Sequence, residues 1–224
     1  MKKKLLILTL VGSLISILIY FYTKNDEITI VSLGDGLAVG MTPYNIKGYS
    51  YNDYLKEHFE NIHQLKNYIS EFSGAGTTTK ELIYKIKENK NITSKDEPID
   101  IKHAINEANI LTLAIGMDEL HAKNFTREVI NEYQKDVTEL LNILKTLNYN
   151  TVIVIGLYPT NNREILTIAK INAYLRDVAL KNNFLFLDIT SLKDHPEYFL
   201  NSNSYYINYQ GHSYIYNEIK RLIS

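Results

Sequence analysis

From residue 27 onward, the chain alternates short apolar runs rich in β-branched residues with longer segments of helical periodicity. Alternation of this kind predicts βαβ units and a parallel sheet. The predicted strands lie at residues 28–33, 67–72, 110–115, 151–157 and 184–189. The predicted helices lie at residues 49–60, 77–89, 100–108, 126–147, 163–181 and 209–222. We therefore expect a three-layer α/β/α sandwich around a five-stranded parallel sheet, joined by right-handed crossovers.

The chain has 224 residues and shows no compositional break or internal repeat that would divide it. An apolar share of 45% with 22% charged residues is ordinary for a folded globular protein. Only residues 87–98 form a strongly polar stretch, which we interpret as a loop. We expect one domain over residues 25–224.

Residues 5–22 carry no charge and follow Lys2, Lys3 and Lys4. As a helix, this segment would be roughly 27 Å long, close to the ~30 Å hydrocarbon core of a bilayer. No small-residue cleavage site follows it. We predict that residues 1–24 are an uncleaved signal anchor and that the domain lies outside the cytoplasm of a bacterium. The alternative is a cleaved signal peptide and a secreted domain.

Charge and cysteine content exclude several classes of function. The formal net charge of −1 argues against a nucleic-acid-binding protein, which would carry an excess of positive charge. The chain has no cysteine, which excludes disulfides, a thiolate nucleophile, a cysteine-ligated metal and a lipoprotein anchor. We predict no cofactor and no metal.

Ligands of such sheets bind beyond the carboxyl ends of the strands. Four sequence blocks lie there: VSLGDGLAVG (31–40), SGAGTTTKEL (73–82), AIGMDEL (114–120) and NSYYINYQGH (203–212). In this order, the blocks resemble those of the SGNH hydrolases, also called GDSL esterases and lipases. The resemblance covers residues 28–222 and implies a flavodoxin-like sheet and an ester or acyl hydrolase ancestry.

The resemblance assigns the catalytic positions residue by residue. The family's nucleophilic serine corresponds to Gly36, which has no side chain that could form an acyl-enzyme. The family's oxyanion-hole glycine corresponds to Gly76 and is retained. The oxyanion-hole asparagine corresponds to Asp118, whose carboxylate offers acceptors where an oxyanion needs donors. The aspartate and histidine of the last block correspond to Asn203 and Tyr206, and a neutral tyrosine is a poor base.

Four of these five positions are altered together. We therefore predict a pseudoenzyme with a binding or regulatory role at the cell envelope. Its partner would be an acylated glycan or other acylated small molecule, a cell-wall polymer or an envelope protein. The alternative is a weak esterase that uses a displaced nucleophile or a water activated by Asp118.

Other residues suggest further hypotheses. His212 and His195 could act as displaced bases, but we interpret them as a packed residue at the start of the last helix and a surface-loop residue. Asp35, Asp118 and Glu119 could form an acidic cation site, although the resemblance makes Asp35 a structural turn residue.

Two further features stay open at this point. Residues 34–40 resemble a glycine-rich dinucleotide turn, but no long helix follows at once and Glu71 lies too far along the chain to be the ribose partner. Tyrosines cluster in two segments and could form a binding surface for carbohydrate or peptide. The alternative is a composition bias without function. The clustered tyrosines are Tyr44, Tyr49, Tyr51, Tyr54, Tyr205, Tyr206, Tyr209, Tyr214 and Tyr216.

Overall fold

A computed structural model describes residues 27–94, 97–199 and 204–224 of the chain. The predicted anchor at residues 1–24 and the site residue Asn203 lie outside these ranges. Within them, no helix is both long enough and apolar enough to cross a bilayer.

Seven strands form two sheets within the part of the chain that the structure describes. In chain order they are β1 (Ile28–Gly34), β2 (Leu65–Ile69), β3 (Asn91–Ser94), β4 (Glu97–Asp100), β5 (Ile110–Ala114), β6 (Thr151–Ile155) and β7 (Leu185–Leu187). The main sheet is parallel and has the order β2-β1-β5-β6-β7. This is the flavodoxin-like order, and it confirms the predicted sheet.

The helices pack on both faces of this sheet. They are α1 (Gly36–Val39), α2 (Tyr51–Asn61), α3 (Thr79–Lys87), α4 (Ile101–Glu107), α5 (Met117–Ala122), α6 (Arg127–Leu147), α7 (Ile165–Lys181) and α8 (Tyr209–Ile223). Helices α2 and α8 pack against each other, whereas α6 packs against α3, α4 and α7. The central strands are apolar on both faces because both faces are covered, and every residue of β5 is buried.

The structure departs from the sequence prediction in three places. In and directly after the predicted loop, β3 and β4 (residues 91–94 and 97–100) pair antiparallel, and they carry too few apolar residues to give a strand signal in the sequence. Helices α1 and α5 are too short for a helical periodicity to show. A helix does begin at Gly36, but it ends at Val39, far short of the long helix of a dinucleotide-binding unit.

Candidate functional site

Asp35 organises the turn that follows β1. Its side chain is fully buried, and Oδ1 accepts a hydrogen bond from the Leu37 backbone N–H at 3.1 Å. Its Oδ2 accepts from the backbone N–H groups of Gly116 at 2.9 Å and Asp118 at 3.2 Å. Asp35 therefore caps α1 and holds the start of α5 against it, which is a structural role.

Close approach of two strand ends requires glycine at position 34. A Cβ placed there would lie 1.8 Å from the Ala114 carbonyl oxygen on β5. This contact brings the ends of β1 and β5 together, so the residues after β1 and those after β5 share one site.

The Asp118 carboxylate lies between two backbone N–H groups, one of which, that of Gly76, the resemblance assigns to an oxyanion hole. Its Oδ2 accepts from the Gly36 N–H at 2.9 Å and from the Gly76 N–H at 2.6 Å. Its Oδ1 accepts from the Tyr206 hydroxyl at 3.0 Å. The side chain is almost completely buried, with 4% of its residue surface exposed. Asp118 thus occupies the position of the anion that such a site would stabilise in an enzyme.

The Tyr206 ring fills the space beside Gly36. A Cβ built on Gly36 would lie 2.5 Å from Cε1 and 2.6 Å from Oη of Tyr206. These distances are shorter than atoms in a folded protein tolerate, so no larger residue fits at position 36 while Tyr206 stays in place. The structure therefore brings Gly36, Gly76, Asp118 and Tyr206 into one centre, and this centre is filled by its own side chains.

A second layer of aromatic rings covers Tyr206. The Tyr205 hydroxyl donates to the Tyr206 hydroxyl at 3.3 Å. The Tyr205 ring stacks on the His121 imidazole, with centroids 4.3 Å apart and an interplanar angle of 4°. The Phe125 edge closes the other side of His121 at 4.9 Å. Sequence reasoning missed His121, because no motif or spacing links this histidine to Tyr205.

Burial dominates the electrostatics of this centre. Burial first, and then the nearby Asp118 carboxylate, raise the pKa of Asp35 well above its usual range. Burial, followed by the contacts with Tyr205 and Asp118, also raises the pKa of Tyr206 above the usual value for tyrosine. Tyr206 therefore stays protonated and acts as a hydrogen-bond donor to Asp118. It has no access to the ionised state that a general base would need.

Gly76 and Glu119 flank the centre. Gly76 has a φ of +78° and is exposed, which suits a glycine whose N–H points inward to Asp118. The Glu119 carboxylate accepts hydrogen bonds from both the backbone N–H and the hydroxyl of Thr79 at the start of α3. Burial raises the pKa of Glu119. The described residues contain no group of three or more histidine, cysteine, aspartate or glutamate side chains that could hold a metal ion.

The two histidines considered as displaced bases lie in other surroundings. His212 is fully buried in α8 and stacks on Tyr51, with centroids 6.2 Å apart. Burial lowers the pKa of His212 to about 4. His195 stacks on Tyr198 at 4.7 Å, and its Nδ1 lies 3.1 Å from a Glu197 carboxylate oxygen. Both positions agree with the packing and surface roles expected from the sequence.

An open cavity lies at the same edge of the sheet, between the loops that follow β6 and β7. It has a volume of about 280 Å³. Glu164 holds one wall in place, because its carboxylate accepts from the Thr160 N–H at 2.8 Å and from the Asn161 side-chain amide at 2.6 Å. Tyr158 connects this loop to the closed centre, since its hydroxyl donates to the Tyr205 carbonyl at 2.8 Å. The lining residues are Pro159, Thr160, Asn161, Asn162, Ile165, Lys193, Pro196 and Phe199.

The two tyrosine clusters of the sequence meet on the α2–α8 face. The Tyr49 and Tyr54 rings contact edge to face at 4.7 Å, and Tyr54 stacks on Tyr216 at 5.8 Å. Tyr205 and Tyr206 take part instead in the closed centre. The second cluster is therefore divided, because Tyr216 packs with the first cluster whereas Tyr205 and Tyr206 belong to the closed centre.

Comparison with known proteins identifies the fold. No family model matches the chain, and no curated protein matches it. Among solved structures, the acetylxylan esterase Axe2 of Geobacillus stearothermophilus superposes with a TM-score of 0.64 at 15% identity, over 89% of this chain and 95% of that one. LAE5, an α/β hydrolase from the metagenome of Lake Arreo in Spain, gives 0.63 at 18% identity, over 88% and 94%.

Further similar structures are described as catalytic mutants of Axe2 in which a histidine, a serine or an aspartate is replaced by alanine. At such identities, structural likeness establishes the fold and leaves the activity open. The described domain has the fold of the SGNH-type hydrolases, as the four sequence blocks predicted.

Proposed function

We propose that this chain is a non-catalytic SGNH-type domain, tethered to the outer side of a bacterial cell membrane, with a binding or regulatory function at the cell envelope. The observation that carries the proposal is the position of the Asp118 carboxylate. It accepts hydrogen bonds from the Gly36 and Gly76 N–H groups, which are the donors that a substrate oxyanion would need.

The groups for covalent catalysis are missing from this centre. Gly36 has no nucleophilic atom, and Tyr206 occupies the space of a serine side chain there. Within the described ranges, no serine or threonine hydroxyl is hydrogen-bonded to a histidine. Loss of the nucleophile or base costs about 10⁶-fold in turnover in a well-studied serine protease. Hydrolysis by the family mechanism would therefore be negligible.

One form of the esterase alternative requires Asp118 to activate a water. Both of its carboxylate oxygens already accept hydrogen bonds, and the side chain is almost fully buried. A water that used Asp118 as a base would have to displace Gly36, Gly76 or Tyr206 from it. The contacts of this carboxylate therefore favour the non-catalytic function.

An acylated glycan is the ligand class that we favour. One structural neighbour is named as an acetylxylan esterase, so this fold can accommodate an acetylated sugar chain. Because the centre around Gly36 and Asp118 is filled by its own side chains, the ligand would bind in the open cavity beside it. Asn161, Asn162 and Phe199 are among the residues that line that cavity, and this mixture of polar and aromatic residues suits a ligand with both hydroxyl groups and apolar faces.

The tether rests on the sequence. Residues 5–22 carry no charge, follow three lysines and match the thickness of a bilayer core. The domain would then lie on the side of the membrane opposite to the lysines.

Catalysis is tested with the full chain purified in detergent. We expect no labelling by a serine-directed fluorophosphonate and no hydrolysis of a short-chain aryl ester above the buffer rate. An active serine esterase of the same fold serves as positive control. Labelling of the chain, or ester cleavage that Asp118→Ala abolishes, would show that it is an enzyme.

Ligand binding is tested by calorimetry with xylo-oligosaccharides that are acetylated or chemically deacetylated. We expect stronger binding of the acetylated form, and weaker binding of it by Phe199→Ala. Leu166→Ala is the matched control, because Leu166 is 75% exposed on α7 and does not line the cavity. Equal affinity of the two sugar forms would exclude acyl recognition.

A further inference from the structure

The amino-terminal ends of the five parallel strands lie together at one edge of the sheet, which we call the basal edge. Ile28 begins β1 at this edge, and Gly34 ends the strand at the opposite edge, beside Gly36 and Asp118. Seven residues at about 3.3 Å each place the closed centre roughly 23 Å from the basal edge. The two edges therefore face in opposite directions.

A groove opens at the basal edge where the chain enters the domain. It has a volume of about 410 Å³. Apolar residues from four elements line it, namely Ile28, Phe59, Ile110 and Ile223, and polar residues that include His58 and Lys220 complete the lining. Phe59 is near the end of α2 and Ile223 ends α8, so the groove is formed by strand starts and helix ends.

Large apolar side chains are exposed in the connections around this groove. Tyr149 is 80% exposed between α6 and β6, and Leu180 is 57% exposed at the end of α7. Ile62 is 41% exposed before β2, and Leu222 is 36% exposed at the end of α8. Two connections and two helix ends at the basal edge thus expose large apolar residues, which are the kind of residue that an interaction surface uses.

The charge of the basal edge is mixed. Lys66, Lys181 and Lys220 lie there, but so do Glu60 and Glu107. Lysine stems and tyrosine rings are side chains that place apolar atoms in a membrane interface and polar ends in water. A partner of the basal edge would therefore be held by apolar and amphipathic contact more than by net charge.

The chain length before β1 determines which partner can reach this edge. Five residues, and hence six Cα–Cα steps, separate Tyr22, at the end of the uncharged segment, from Ile28. Fully extended, they span at most about 20 Å. If residues 5–22 span a bilayer, the basal edge has to lie next to the lipid headgroups.

We propose that the basal edge is a membrane-contact surface that seats the domain on the lipid headgroup layer, with the closed centre and its neighbouring cavity facing away from the membrane. This inference rests on the proposed membrane tether. Its consequence for function is that the cavity is presented to the cell wall or extracellular space and not to lipids.

The test uses the full chain reconstituted in lipid vesicles. Because the chain has no cysteine, Tyr149→Cys and Tyr44→Cys each introduce a single site for an environment-sensitive fluorophore. Tyr149 is at the basal edge, whereas Tyr44 is 67% exposed in the loop between α1 and α2 near the opposite edge. Quenching by a headgroup-attached quencher and by a water-soluble quencher is compared for the two labels.

We expect headgroup quenching to be several-fold stronger for the label at position 149 than for the label at position 44, with the reverse order for the aqueous quencher. Because the charge of the edge is mixed, the difference should persist in vesicles without anionic lipid. Equal quenching of the two labels would overturn the contact surface. Flotation of the unlabelled chain with vesicles tests the tether separately, and a chain that does not float refutes the tether and this inference together.

Discussion

The steric relation between Gly36 and Tyr206 gives the sharpest test of the closed centre. Gly36 lies at the first position of α1 and is not among the residues with positive φ, so its backbone accepts alanine. The obstacle to a larger residue is the Tyr206 ring, which would lie 2.5 Å from the new Cβ. Gly36→Ala should therefore be costly only while Tyr206 is present.

The magnitude follows from two opposing effects. Forcing one extra methyl group into a packed site costs about 1–3 kcal/mol of the free energy of unfolding. Replacing glycine by alanine in a helix contributes roughly 0.5–1 kcal/mol in the favourable direction. With Tyr206 present we expect a net loss of about 1–2 kcal/mol. In a Tyr206→Ala background, the same change should be neutral or stabilising, so the two positions are coupled by about 2 kcal/mol.

The assay is urea denaturation of the four chains of this double-mutant cycle, followed by circular dichroism. The matched control repeats Gly36→Ala in a Tyr209→Ala background, since Tyr209 is 61% exposed at the start of α8. In the Tyr209→Ala background, Gly36→Ala should lower the free energy of unfolding as much as it does in the unmodified chain. An equal cost of Gly36→Ala with and without the Tyr206 ring would refute the packing of this centre.

Three further predictions concern the same centre and the core. Asp118→Ala leaves the Gly36 N–H and the Tyr206 hydroxyl without their acceptor. A hydrogen bond to a charged group contributes about 1.5–3 kcal/mol, so we expect a clear loss of thermal stability. Added acetate, but not chloride, should restore part of the melting temperature of this variant, and an equal response to both salts would argue against an anion site. Gly36→Ser alone should give no useful esterase activity, because the base, the orienting group and one oxyanion donor remain absent. Turnover within about tenfold of an active family member, a gap of ~1.4 kcal/mol in activation free energy, would contradict the assigned positions. Burial lowers the pKa of His212 to about 4 in the folded state. The stability that comes from keeping this histidine neutral is therefore fully present above about pH 6.5, and it is lost as the pH falls toward 4, because the unfolded chain binds the proton first. This pKa difference corresponds to about 3 kcal/mol, and urea denaturation across this pH range should show a smaller loss for His212→Phe.

Much of the fold was predictable because its elements carry local signals. The buried strands appear as apolar runs, and α6 shows its apolar residues at helical spacing over 21 residues. The β3–β4 hairpin was missed because Ile92 and Ile99 alternate with polar residues over only four positions on each strand. Helix α5 was missed because six residues are too few for a periodicity.

The identities of the site residues could also be read from the sequence, since the blocks fix their order along the chain. The sequence showed that Gly36 lacks a nucleophile and that Asp118 brings a charge of the wrong sign for an oxyanion hole. It suggested that Asp118 would repel a bound oxyanion. The structure shows a further role, because the Asp118 carboxylate itself accepts hydrogen bonds from the Gly36 and Gly76 N–H groups.

Local periodicity thus predicted the α/β architecture, and the resemblance carried by the four blocks assigned Gly36 to the position of the nucleophile and predicted how each replacement changes the site. Only the tertiary structure decided that these replacements complement one another. Gly36, Gly76, Asp118 and Tyr206 come from four separate segments that meet at one edge of the sheet. Whether the centre is open or filled depends on contacts of a few ångströms between them. Such contacts depend on packing between distant segments, which no local sequence signal encodes.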